Sequence, residues 1–112
     1  MAIQVLDVLQ APFQGQVEIV GNLVAATSTE IKFVNDGYTL LYVLANASGR
    51  VITVRSIPDN AARLGNIVVT MVEDDLFTTA PLRPIWWNFG GMVEISLSSI
   101  SDITLTAIRY QF

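Results

Sequence analysis

Apolar residues along this chain fall in short runs separated by turn-forming residues. The runs cover residues 31–34, 38–44, 51–54, 67–72, 92–97 and 103–110. Between them stand Asn35-Asp36-Gly37, Asn46-Ala47-Ser48-Gly49, Pro58-Asp59-Asn60, Gly65-Asn66, Gly90-Gly91 and residues 98–101. Short strands punctuated this often predict a β-sandwich or barrel. Several runs alternate in the way a half-buried strand requires. Ile31 and Phe33 are set against Glu30 and Lys32, and Ile52 and Val54 against Thr53 and Arg55. Val93, Ile95 and Leu97 share a face, as do Ile103, Leu105 and Ala107 opposite Thr104 and Thr106. No segment has a helical period with caps. The expectation is an all-β fold: an antiparallel β-sandwich, jelly-roll-like, of about eight strands.

Residues 38–44 and 67–72 are apolar on both faces, so each strand should be covered on both sides. Asp36-Gly37 can adopt the positive φ values of a two-residue hairpin loop. Pro81 and Pro84 exclude an interior strand there, because neither offers an N–H to a ladder. Residues 1–29 differ from the rest. Gln4, Gln10, Gln14 and Gln16 are scattered among apolar residues, and Pro12 and Gly15 interrupt any long element. They form either an extended N-terminal arm that packs on something else or a first edge segment of the sandwich at residues 30–112.

Composition sharpens this picture. Apolar residues are 52% of the 112 and charged residues 14%, against about 25% charged in ordinary domains. So few charges leave apolar residues outside a single core, which points to an oligomer or a piece of an assembly. Ten acidic residues against six basic give a net charge of −4. The basic residues are dispersed, so nucleic acid is not an expected partner. No apolar stretch reaches the length of a membrane helix, so no membrane is expected either. The start Met1-Ala2-Ile3-Gln4-Val5-Leu6-Asp7 lacks a positive n-region, so a protein made and used without export is expected.

The chain has no histidine and no cysteine. A Ser-His-Asp triad and thiolate chemistry are therefore excluded, and no phosphate-binding glycine motif occurs. No catalytic, cofactor-binding or metal-ligating set emerges, and no enzyme is expected. Glu73-Asp74-Asp75 is the one acidic cluster, but consecutive strand residues point apart and do not converge on a calcium ion. It reads as a solvated turn. Trp86-Trp87, with Tyr110 and Phe112, offers rings for stacking on a sugar. On a strand, however, one Trp would face the core and the other an interface. Asp36, Asp59 and Asp102 sit in turn contexts, where Asp bonds its own backbone.

The segment from Phe33 through Asn35-Asp36-Gly37 and Thr39 to Asn46, Ser48 and Gly49 resembles the opening of small structural proteins of tailed bacteriophages. Val51-Ile52-Thr53-Val54 resembles the strand that follows it there. Ala80-Pro81-Leu82-Arg83-Pro84-Ile85-Trp86-Trp87-Asn88 is similar to their proline corner, from which Leu82 and Arg83 depart. The likeness runs over about residues 30–110. It implies a capsid decoration (cement) protein on the outer surface of the virion's head, made in the host cytoplasm. Such a protein is often a homotrimer, and its partner would be the major capsid protein. On that reading Val5, Leu6, Leu9 and Phe13 are the expected capsid contacts. Leu41, Val43, Val68, Trp86 and Trp87 are the expected subunit interface. The alternative is a tail-fibre or spike module that binds host glycan through the Trp86 region.

Overall fold

A computed structural model describes residues 3–11, 19–57, 65–79 and 82–110, and of Val20, Ile85 and Trp86 the backbone alone. Among the described residues, eleven strands form two packed sheets. They are β1 (Gln4–Val5), β2 (Val8–Gln10), β3 (Val24–Ala25), β4 (Glu30–Val34), β5 (Thr39–Ala45) and β6 (Arg50–Val54), followed by β7 (Ile67–Met71), β8 (Asp75–Thr78), β9 (Asn88–Phe89), β10 (Met92–Leu97) and β11 (Ile103–Arg109). The first sheet runs β1-β4-β10-β6-β7, with β9 also on β10; the second runs β2-β11-β5-β8, with β3 also on β11. The all-β sandwich is as expected. The strand count is higher because β1, β2, β3 and β9 are two or three residues each, too short to leave a period in the sequence. The sheets are also mixed rather than antiparallel throughout: β1 joins β4, and β2 joins β11, in parallel.

The core lies between the sheets. From the first sheet Ile31, Phe33, Ile52, Val54, Val93 and Ile95 are buried in it, and from the second Leu41, Val43, Ala45, Ile103, Leu105 and Ala107. These are the alternating positions of each strand, and the interleaved residues face outward.

The turn at Asn35-Asp36-Gly37 is not a hairpin. β4 and β5 belong to different sheets, so the chain turns a corner there. Asn35 Oδ1 accepts from the Gly37 N–H at 3.0 Å, and Asp36 Oδ1 from the Tyr38 N–H at 3.2 Å. Such side-chain-to-backbone bonds make a tight turn without strand pairing across it. Gly37 has φ +101°, a conformation that calls for glycine, and packs beside Pro84. The Asn35 Nδ2 donates to the Leu82 carbonyl at 2.9 Å and to Asn88 Oδ1 at 2.8 Å. Asn88 Nδ2 returns a bond to the Asn35 carbonyl at 2.6 Å. This network fastens the corner to the proline-containing segment. A true hairpin follows at Gly90-Gly91, where both φ values are positive and β9 pairs with β10.

Pro84–Trp87 is one helical turn rather than a strand, with Pro84 in its first turn and the Trp87 N–H bonded to the Arg83 carbonyl. The opposite-sides expectation for the two tryptophans therefore does not apply, since helical neighbours are about 100° apart.

Candidate interaction surface

The two outer faces of the sandwich differ in chemistry. On the first sheet, the outward residues Glu30 and Lys32 of β4 and Glu94 and Ser96 of β10 are polar and joined by ion pairs and hydrogen bonds, while Val34 and Met92 lie beside them on the same face. Lys32 Nζ lies 3.4 Å from Glu94, and Arg55 lies 3.0 Å from Glu30 and 3.4 Å from Glu94. Arg55 also donates to Ser96 Oγ at 2.6 Å. These groups are partly exposed, so each pair adds little stability. Their effect is to make the centre of this face polar, while Val34 and Val68 on the same face stay exposed.

The outer face of the second sheet is apolar and hydroxyl-bearing. Its outward positions are Leu40, Tyr42 and Leu44 from β5, Thr104, Thr106 and Ile108 from β11, and Leu76 and Thr78 from β8, of which Tyr42, Thr106 and Ile108 are buried. None of these eight side chains is charged. At one end Ala11, Tyr42 and Ile108 are buried in a second cluster, with Ile19, Leu40 and Tyr110 packed against it. At the other end Leu76, directly across from Leu44, is 50% exposed. The Tyr42 and Tyr110 hydroxyls lie 2.6 Å apart. Burial, and then the bond to Tyr42, pushes the Tyr110 pKa up to about 12.

The N-terminal residues cross between the sheets. β1 lies on the first, β2 on the second, and Leu6 between them is buried, its N–H bonded to the Lys32 carbonyl at 2.9 Å. Ala11 N–H bonds the Arg109 carbonyl at 2.8 Å. The Gln4 side chain fastens this crossing to the residues after β3, donating to the Ala25 carbonyl and accepting from the Thr27 N–H. Val5 is 59% and Leu9 37% exposed. Together with Leu6 and Val24 they border a cleft of about 420 Å³ whose one charged lining residue is Asp7.

Several expected site residues are corrected by these positions. Leu41 and Val43 are fully buried in the chain's own core and meet no second subunit. From Leu40 to Ala45 both alternate sets of this run are apolar or aromatic, so its periodicity does not say which set faces in. The outward set is Leu40, Tyr42 and Leu44. Leu6 is likewise a core residue and not a surface contact. Trp87 is buried in the core cluster, so its ring is not available to stack on a sugar or a neighbour. Val68 is exposed on the edge strand β7, and Val5 and Leu9 are at the surface. Phe13, and the side chain of Trp86, lie outside the described residues. Glu73-Asp74-Asp75 forms the β7–β8 turn, with Asp74 at φ 65° and Asp75 accepting from the Val72 N–H. Among the described residues no group of three or more acidic side chains is placed to hold a metal ion, and no helix is long and apolar enough to cross a membrane. Leu44 and Leu76 were not singled out by the sequence. They follow from the register of β5 with β8 and β11.

No known protein family, curated protein or solved structure matches the chain.

Proposed function

We propose that this protein is a structural component of a bacteriophage particle, a decoration protein that binds the outside of the assembled head and bridges major capsid subunits. The observation that carries the reading is the contrast between the outer faces. One carries the ion pairs of Lys32, Glu94, Arg55 and Glu30 across its centre. The other has no charged side chain at its outward positions and leaves Leu76 exposed and Leu40 and Leu44 half-buried, a patch suited to burial against protein. That second face, with Leu44 and Leu76, is the surface for sister copies in a homotrimer. The exposed Val5 and Leu9 beside the N-terminal cleft are the contacts to the shell. The resemblance of residues 33–49 and 80–88 to phage decoration proteins agrees with this.

The strand order supports a jelly-roll reading of the sandwich. β6 lies beside β7, β5 beside β8, β4 beside β10 and β3 beside β11. Those pairings are nested, as in two interleaved Greek keys, an architecture that viral capsid domains share with lectins. A protein that binds the intact shell and not its parts stabilises the shell by mass action, and many copies multiply modest contacts.

The test is co-sedimentation with heads that lack the protein. Saturable binding at a fixed ratio to the major capsid protein, weakened by Val5→Asp with Leu9→Asp, is the expected result. Absence of binding to intact heads overturns the proposal. The glycan-binding reading loses one of its two tryptophans to the core, so no separate observation favours it.

A further inference from the structure

β7 ends the first sheet and, among the described residues, pairs with β6 alone. Its free edge has none of the usual protections against edge pairing, such as proline, lysine or an inward charge. Ile67–Met71 contains no charged residue, and Val68, 61% exposed, lies at its centre. The direction of the backbone groups follows from two bonds. Met71 accepts from the Gly49 N–H, so Met71 faces β6. Val51, opposite Thr70, exchanges its bonds with Ser98 on the other side. Alternation then turns the N–H and C=O groups of Val68 and Thr70 outward.

We propose that β7 pairs antiparallel with β7 of a second copy about a twofold axis through Val69, joining the two first sheets edge to edge. The pattern of side chains is symmetric about that point. On the core side Val69 meets Val69 of the second copy, and Ile67 meets its Met71. On the outer side Val68 meets Thr70, a β-branched pair of the kind that stabilises antiparallel neighbours. The half-buried Ile67 and Val69 would gain the cover that a sheet edge denies them. Charge also permits a second copy. In this register Glu73 lies across from Gly65 of the second copy, so the acidic turns of two molecules of net charge −4 do not face each other. The outward N–H and C=O groups of Val68 and Thr70 would bond their twofold mates. Five residues span only about 17 Å of edge, which is well short of a standard interface. The contact is therefore weak in solution and strengthened where copies are held side by side.

The experiment is analytical ultracentrifugation of the full chain over a concentration series, without any shell, so its result is independent of the capsid reading. The expected result is reversible doubling in mass of whatever assembly is present at low concentration. Val68→Lys with Thr70→Lys sets like charges opposite each other and should weaken doubling about tenfold or more. Val68→Lys with Thr70→Glu sets opposite charges across the axis and should restore it. Both substituted positions, Val68 and Thr70, are solvent-facing, and circular dichroism should be unchanged. The pairing is overturned if the wild-type mass does not double, if the lysine pair leaves doubling intact, or if the Lys–Glu variant behaves like the Lys–Lys one.

Discussion

Asn35→Ala removes the residue that holds the β4 corner to the proline segment. Its side chain is buried and makes three hydrogen bonds: to the Leu82 carbonyl, to Asn88 Oδ1 and from the Gly37 N–H. The bonds to Asn88 and Gly37 involve partly buried partners that can turn to water, and losing each costs about 1 kcal/mol. The Leu82 carbonyl is buried and is stranded when its donor goes, which costs about 1–3 kcal/mol. The expected destabilisation is about 3–5 kcal/mol. With a urea m-value of about 1.5 kcal/mol/M for a domain of this size, the unfolding midpoint should fall by about 2–3 M. Asn35→Asp is a sharper comparison. It keeps the acceptor for Gly37 but turns a carboxylate toward two oxygens, so its folded-state pKa rises above the unfolded value of about 3.9. The deficit of Asn35→Asp should therefore grow as pH rises through that folded pKa and shrink toward pH 4. A loss below about 1.5 kcal/mol for Asn35→Ala, or no pH dependence for Asn35→Asp, would refute this account of the corner.

Leu6→Ala should cost about 2–5 kcal/mol by thermal or urea unfolding, because Leu6 fills the core where the chain crosses between sheets. Val5→Ala, one position away and exposed, should stay within about 0.5 kcal/mol. Spectrophotometric titration should find one tyrosine that ionises only near pH 12, and Tyr42→Phe should lower that value by removing the hydroxyl partner of Tyr110. Because the folded pKa of Tyr110 is raised, its contribution is complete below pH 10 and is lost as pH climbs through about 12. Asp36 is shifted the other way. Slight desolvation raises its pKa, but the hydrogen bonds from Arg109 (2.7 Å) and the Tyr38 N–H outweigh it and hold the carboxyl below its usual value. Its stabilisation is thus present above the unfolded pKa and lost as pH falls through the folded one. Asp36→Asn should flatten that acid limb by less than about 1 kcal/mol, since the pair is half exposed.

The alternating strands were legible in the sequence because each carried a polar set that marked its outer face, as Glu30 and Lys32 do for Ile31 and Phe33. β5 lacked such a marker. With Leu, Tyr, Val and Leu in succession, both parities satisfy the pattern, and packing against Leu105 and Ala107 decides the question non-locally. The corner at Asp36-Gly37 has the local chemistry of a hairpin, and only the later strands β10 and β11 determine that β4 and β5 part company. Pro84 and the aromatic run hid a single helical turn, too short for any period to reveal. Of the candidate surface, Val5, Leu9 and Val68 lie exposed. The outward Leu44 and Leu76 required the sheet register.

The order in which the strands lie has a kinetic consequence. β10 sits between β4 and β6, and β11 between β5 and the N-terminal strands, so the middle of each sheet comes from residues 92–109. Gln10 and Arg109, which bond each other, are 99 positions apart. During synthesis, earlier strands must wait with open edges until those residues emerge, and closure then depends on contacts of long sequence separation. Such a chain should fold slowly and be most exposed to misassociation before its last strands insert. Trimming at β11 should abolish folding outright, whereas the crossing at Gln4–Gln10 should dock last.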